Sequence, residues 1–304
     1  MAVHTIAALG VQRSAGALIS GVAIEHISDT ARWVATYRAM ESARTDALFH
    51  DPYAARLAGP RGTDIMEQMP RGRQMAWSMI VRTAVFDEII LDRVQHAGVH
   101  LVLDLAAGLD ARPWRLPLPP TLRWVDVDLP DILDYKTRTL AGEQASCAYE
   151  PVPLDLRDPD ARRALFARLG LTAQRALVVT EGLLIYLTEA QVRGLADDLH
   201  AQPAFQWWLI DLASPHLLRL MQRWWGRGVS AGNAPFQFAP ASGTDFFASS
   251  GWREAQFRST MAEARRLRRE MRLMWLWRIL LRLSPRRRRE IARRMSGIVL
   301  LERA

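Results

Sequence analysis

One cysteine, Cys147, in 304 residues excludes an intramolecular disulfide framework and any metal site built from several cysteines. It fits a reducing compartment, so a cytoplasmic location and no metal are the expectations. Lysine is equally scarce: Lys136 is the single lysine among 40 basic residues, and the rest are arginine. Long apolar runs are missing too. The longest, Met271 to Leu283, is 13 residues and carries Arg272, Arg278 and Arg282. A membrane-crossing helix needs about 20 apolar residues. Met1 to Ile27 has Arg13 as its only fixed side-chain charge before Glu25. It lacks the ordered basic start, apolar core and cleavage site of a secretion signal, so residues 1–27 read as a flexible or packing extension. No segment repeats at a period of roughly 20–50 residues. No glycine-rich loop ends in Lys-Ser or Lys-Thr to cradle a phosphate.

What is present describes an ordinary globular chain. Hydrophobic residues make up 49% and charged residues 24%, which argues against disorder or a fibre. The length fits one large domain or two small ones. The net charge of +8 is local: residues 265–294 hold 13 arginines against Glu270 and Glu290, a net of +11, so the remaining chain sums to −3.

Residues 28–98 read as a helical cap. Ser28 and Asp29 can cap a helix carrying Trp33, Val34, Tyr37 and Met40. A loop with Asp51-Pro52 and Gly59-Pro60 follows, then a helix from about Met75 to Val94. From residue 99 short apolar strands alternate with helices: Val99–Leu105, Leu122–Val127, Glu150–Leu154, Ala176–Thr180 and Gln206–Asp211, with helices over Asp131–Ala141, Asp158–Leu169 and Glu189–His200. Runs such as Leu101-Val102-Leu103 suit strands buried on both faces, hence an α/β fold with a mainly parallel sheet. Arg253–Phe257 and Gly297–Leu301 read as two further strands. Residues 28–304 are therefore expected to form one domain, with the arginine-rich segment (261–294) as an insertion.

The first strand ends in Asp104-Leu105-Ala106-Ala107-Gly108-Leu109-Asp110. A small-residue turn at a strand's carboxyl end lets backbone approach a ligand, although strict dinucleotide glycine spacing is absent. By itself it is as readily a packing turn. On the second strand Asp126 and Asp128 share a face. An acid at this strand end can accept hydrogen bonds from both ribose hydroxyls, and the glycine turn about 20 residues upstream favours a nucleoside site over a solvated strand end.

The stretch Leu105-Ala106-Ala107-Gly108-Leu109-Asp110-Ala111-Arg112-Pro113-Trp114-Arg115-Leu116 resembles the leading motif of the leucine carboxyl methyltransferase family, which includes bacterial S-adenosylmethionine-dependent O-methyltransferases of secondary metabolism. Val125-Asp126-Val127-Asp128-Leu129-Pro130 with Lys136, then Asp155-Leu156-Arg157, then Glu181-Gly182-Leu183-Leu184-Ile185-Tyr186-Leu187 resemble its next motifs. Upstream, Arg38-Ala39-Met40-Glu41, Asp46-Ala47-Leu48-Phe49 and Asp51-Pro52-Tyr53-Ala54 are similar to its N-terminal signature. Gly251-Trp252 and Leu301-Glu302-Arg303 are similar to its closing segment.

The resemblance implies a class I methyltransferase fold, a Rossmann-like seven-stranded, mostly parallel sheet with an N-terminal helical extension, and S-adenosyl-L-methionine as cofactor. Gly108 and Ala106 would sit against the cofactor's methionine part, with Ala106 standing where many relatives carry glycine. Asp128 corresponds to the ribose-binding acid; Asp126 holds a place where relatives often have glutamate. Asp155 and Leu156 would flank adenine. Glu181 would pair with the cofactor ammonium unless it merely caps the following helix. Arg82, or less directly Arg38, would grip the cofactor carboxylate, unless Arg82 is a surface charge.

Methyl transfer from a sulfonium asks the protein mainly for position and electrostatics. A carboxylate acceptor, with pKa near 4, needs no base; a phenol, near 10, benefits from one. His216 and Tyr186 are the candidates for such a role, and neither is assigned. Trp224, Trp225, Phe236, Phe238, Phe246 and Phe247 either wall an apolar acceptor pocket or are core. The expected reaction is O-methylation of a small hydrophobic acceptor, preferably a natural-product carboxylate. Phenol or carbon methylation, carboxyl methylation of a protein or peptide C-terminus, and a noncatalytic anion- or membrane-binding protein are the alternatives.

In the arginine segment, Arg265, Arg268, Arg269 and Arg272 fall on one helical face, Arg286 to Arg289 form a run, and Trp275 and Trp277 lie between. A helix packed by its apolar side with arginines in water, a lid attracting an anionic substrate, and peripheral contact with anionic lipid all remain open. No nucleic-acid reader motif accompanies the charges, so no nucleic-acid partner is expected.

Overall fold

The structure is a computed structural model that describes residues 28–231, 235–271, 274, 279 and 284–304. Residues 1–27, and Arg272, Trp275, Trp277, Arg278 and Arg282 of the arginine segment, lie outside the described residues.

Seven strands form a single sheet: β1 (Leu101–Leu105), β2 (Arg123–Asp128), β3 (Ala148–Pro153), β4 (Ala176–Thr180), β5 (Phe205–Ala213), β6 (Trp252–Ser259) and β7 (Ser296–Arg303). Their order is β3-β2-β1-β4-β5-β7-β6. The first five run parallel, and β7 is antiparallel to both β5 and β6. Every strand read from the sequence is present, with some ends moved by a few residues.

The alternation of side chains across the pleat explains the continuous apolar runs. Leu101, Leu103 and Leu105 of β1, with Ala176 and Val178 of β4, enter one core. Val102, Leu177 and Val179 enter the core on the opposite face. Helices cover both faces because both are apolar. On the first side lie α6 (Pro159–Thr172), through Leu165, Phe166 and Leu169, and α7 (Glu189–His200), through Val192, Leu195 and Leu199. On the second lies α3 (Gly72–His96), through Val81, Val85, Phe86, Ile89 and Ile90. Asp158 caps α6 by accepting from Asp160 and Ala161 N–H groups, and Thr188 and Gln191 cap α7 reciprocally.

The N-terminal helices α1 (Ser28–Ser42) and α2 (Ala54–Gln68) pack on one another. Gly59-Pro60, expected in a loop, instead form a kink inside α2: Gly59 adopts φ +59° and Pro60 begins the next turn. The arginine segment also differs from expectation. Helix α9 (Thr260–Arg266) stops before Arg268, which has φ +56°. Arg269 is buried against Glu41, 2.7 Å away, so it does not share a solvent face with Arg265. Among the described residues no helix is long and apolar enough to cross a membrane.

Candidate active site

A cavity of about 1190 Å³ opens over the carboxyl ends of β1, β2, β4 and β5, beneath α1, α3 and α8 (Pro215–Ala231). This is where ligands sit in open α/β sheets. Arg82, Ala106, Gly108, Asp128, Asp155, Leu156 and Glu181 all border it, as do Tyr186 and His216.

The turn after β1 is built around two left-handed residues, Ala106 (φ +56°) and Gly108 (φ +51°). Glycine takes this conformation freely; alanine does so at a cost. The N–H of Ala106 donates to the Val127 carbonyl at 2.8 Å, locking the turn to β2. Gly108 N–H donates to Asp128 Oδ2 at 2.6 Å, and Leu129 N–H donates to Oδ1 at 2.7 Å. Each oxygen of Asp128 thus accepts one backbone bond and retains a lone pair for a ligand. Burial raises this carboxyl above the usual range, against the two backbone donors.

Asp126 behaves differently. It is wholly buried, pairs with Lys136 of α5 (Pro130–Thr139), and accepts from Tyr149 Oη at 2.8 Å and Trp124 Nε1 at 2.9 Å. Strand alternation puts Asp126 and Asp128 on one face, but Asp126 lies one pleat deeper, where Lys136 covers it.

Across the cavity floor, Glu181 at the end of β4 accepts from Arg82 Nε at 2.9 Å and pairs with Arg112 Nη2 at 2.8 Å. Arg82, on α3, also donates through Nη1 to Asp211 Oδ2 at 3.1 Å, at the end of β5. Asp211 Oδ1 accepts from Gly182 N–H at 2.7 Å. A Cβ at Gly182 would lie 3.0 Å from Arg82 Nη1, and its φ is +70°, so glycine permits this approach. Arg112 continues the chain to Asp87 at 2.6 Å and Asp110 at 2.7 Å. Burial opposes the Asp110 charge, but Arg112, Lys136, Arg115 and Arg38 outweigh it and hold the carboxyl below the usual range. Asp104 goes the other way: burial, then the carboxylates of Asp110 and Asp126, push it well above that range. Arg38 donates from Nε to Asp51 at 2.8 Å. Asp155 stands at the rim, held below the usual range by its bond to Arg157.

Asp104, Asp110, Arg112 and Asp211 also border the cavity and escaped sequence reasoning. Asp211 carried the same signal as Asp128, an acid at a strand's carboxyl end. Arg112 and the two flanking acids were inside the glycine-turn motif, but their partners could not be seen.

The aromatic residues divide. Phe246 and Phe247 pack in the core with Trp208 and Trp252. Trp224, Trp225, Phe236 and Phe238 border the cavity. Tyr186 lies 5.5 Å from Phe236 ring to ring, and its hydroxyl bonds Thr30 of α1. Burial pushes that hydroxyl up to about 12 against the opposing Arg82 guanidinium. His216 is exposed on α8. Seven of the chain's 11 methionines also border the cavity, Met79 and Met221 among them.

The sheet order and the placement of this cavity define a class I methyltransferase fold. A DUF574 family protein from Streptomyces avermitilis superposes with TM-score 0.59 over 90% of this chain and 97% of its own, at 14% identity. A protein from Thermobifida fusca, provisionally named a methyltransferase, gives TM-score 0.56 over 92% and 96%, at 15% identity. The chain belongs to the leucine carboxyl methyltransferase family, whose model matches residues 31–200. A relative from Mycolicibacterium gilvum, provisionally named an S-adenosyl-L-methionine-dependent methyltransferase, is 38% identical over 198 residues, covering 59% of this chain and 63% of the relative. One of the same name from Mycolicibacterium paratuberculosis is 38% identical over 192 residues, covering 59% and 70%. The chain thus spans just under two thirds of the first relative's length.

Proposed function

We propose that the protein transfers the methyl group of S-adenosyl-L-methionine to a carboxylate oxygen of a small, apolar acceptor of the natural-product kind. The observation that carries this reading is the cavity's two-part character. Its volume of about 1190 Å³ exceeds the ~300–1,000 Å³ of a single-ligand pocket, with acids and arginines over the strand tips and aromatic and methionine side chains beyond them. That is room for a polar nucleoside and a second, apolar ligand.

The residues present fit the cofactor. Asp128 keeps acceptor capacity for two ribose hydroxyls, and Gly108 leaves its backbone open to close approach. Asp155 offers acceptors to an exocyclic amine, with Leu156 beside it. Arg82 and Glu181, paired with each other, put both signs of charge beside the position of an amino-acid carboxylate and ammonium. When bound, the cofactor supplies an activated methyl group. The chain's own task is alignment of a nucleophile along the line of that bond. A carboxylate acceptor arrives ionised. Tyr186 stays protonated at neutral pH, so it serves as a hydrogen-bond donor and orients an acceptor oxygen without removing a proton.

Calorimetry with the cofactor, followed by transfer of labelled methyl to extracts, tests this. Micromolar cofactor binding and label released as methanol by mild alkali, the behaviour of a methyl ester, are expected. Failure to bind at millimolar cofactor defeats the methyltransferase assignment. Alkali-stable label defeats the carboxylate and moves the acceptor to phenol or carbon, where His216 at the cavity rim is the base to test.

A further inference from the structure

The connection between β6 and β7 is left over once the cavity is accounted for. Among the described residues the exposed large apolar side chains are Leu171, Met271, Ile279 and Ile291, and the last three all fall in this connection. The short helix Arg286–Arg293 buries none of its residues. Arg157, Arg163 and Arg168 are exposed and paired, with Asp155, Asp160 and Glu150, while Arg138, Arg219 and Arg223 are exposed and meet no carboxylate among the described residues. Arg286, Arg287, Arg288, Arg289 and Arg293 meet no carboxylate among the described residues. The same connection borders the apolar end of the cavity through Met271, Met274 and Met295.

We propose that the helix Arg286–Arg293 within this connection is a docking surface for an anionic lipid membrane. Five guanidinium groups without counter-charge call for an anionic partner. Exposed Ile291 among them suits the boundary between headgroups and acyl chains, where cations and apolar side chains are satisfied together. A nucleic-acid backbone would use the arginines and leave the apolar groups in water. Outside residues 265–294 the chain sums to −3, so its positive charge is concentrated in this segment. The docking itself does not depend on the methyl-transfer reading.

Flotation of the full chain, without cofactor, on vesicles of phosphatidylcholine and on equal mixtures of phosphatidylcholine and phosphatidylglycerol is the test. Binding is expected to the mixed vesicles only, weakening as salt is raised. Replacing Arg286, Arg287, Arg288 and Arg289 together by glutamine should weaken it more than about tenfold. These side chains have no partners to lose, so thermal unfolding should be unchanged; Ile291→Asp is a second variant that should weaken binding by itself. No binding to the mixed vesicles, full binding by the glutamine variant, or preference for a DNA duplex over the vesicles overturns the proposal.

Discussion

The ammonium of Lys136 lies against the carboxylate of Asp126, with both side chains removed from solvent. The chain's single lysine thus lies inside the fold. A compact ammonium fits between Asp126 and the rings of Trp114 and Tyr149, 5.4 and 5.7 Å from it. A guanidinium fork is larger and asks for more acceptors.

Lys136→Met should therefore be costly. It leaves the buried Asp126 without its counter-charge and with only the Tyr149 and Trp124 donors. A loss of about 3–5 kcal/mol is expected from urea unfolding, and Lys136→Met combined with Asp126→Asn should recover much of it. A single-variant loss under ~1 kcal/mol would show the pair is not buried as described.

Asp104 gives a pH dependence of defined sign. Its folded pKa is raised by burial and by Asp110 and Asp126. As pH rises above about 4 the unfolded chain releases this proton first. The folded state then holds more protons, so stability falls with rising pH across that window. Asp104→Asn should remove the fall. Asp110, held below the usual range, acts only at lower pH, where its contribution is lost as pH decreases. Parallel plots of denaturation midpoint against pH for wild type and Asp104→Asn would refute the assignment.

Ala106→Gly should stabilise the protein by about 0.5–1 kcal/mol, because relief of the left-handed alanine outweighs the added freedom of the unfolded chain. Gly108→Ala should do the reverse, since its Cβ would stand 3.1 Å from that of Ala31 at a φ of +51°. It should also weaken cofactor binding by holding the turn away from the ligand. Calorimetric melting separates the two; equal melting temperatures would show that the turn is not strained.

Asp128→Ala should weaken cofactor binding by about 1–3 kcal/mol, roughly five- to 150-fold in Kd, through lost ribose hydrogen bonds. Because burial raises this carboxyl, wild-type affinity should begin to fall with decreasing pH above the usual aspartate range. Titration calorimetry across pH checks both; wild-type affinity in the variant would remove Asp128 from the site.

How much was legible follows from the range of each interaction. The parallel strands were visible because burial on two faces demands unbroken apolar runs, as in Ala176-Leu177-Val178-Val179. The glycine turn and Asp128 were visible because they sit about 20 residues apart in a recurrent unit. The different fates of Asp126 and Asp128 were not, since alternation gives a face but not a depth along it. The six aromatic residues after β5 looked alike and were divided between core and cavity wall. Arg269 looked like its solvated neighbours, yet it lies 228 positions from its partner Glu41.

From the sequence alone came the alternation of strands and helices, the turn at the end of β1 and the concentration of positive charge before β7. These are properties of neighbouring residues, set by periodicity, backbone preference and composition. Tertiary structure decided which charges meet. Arg82 and Glu181, 99 positions apart, become partners only because the sheet order sets the tip of β4 beneath α3. Charge has no period along a chain; its partner is chosen by the packing of apolar surfaces that carry it there.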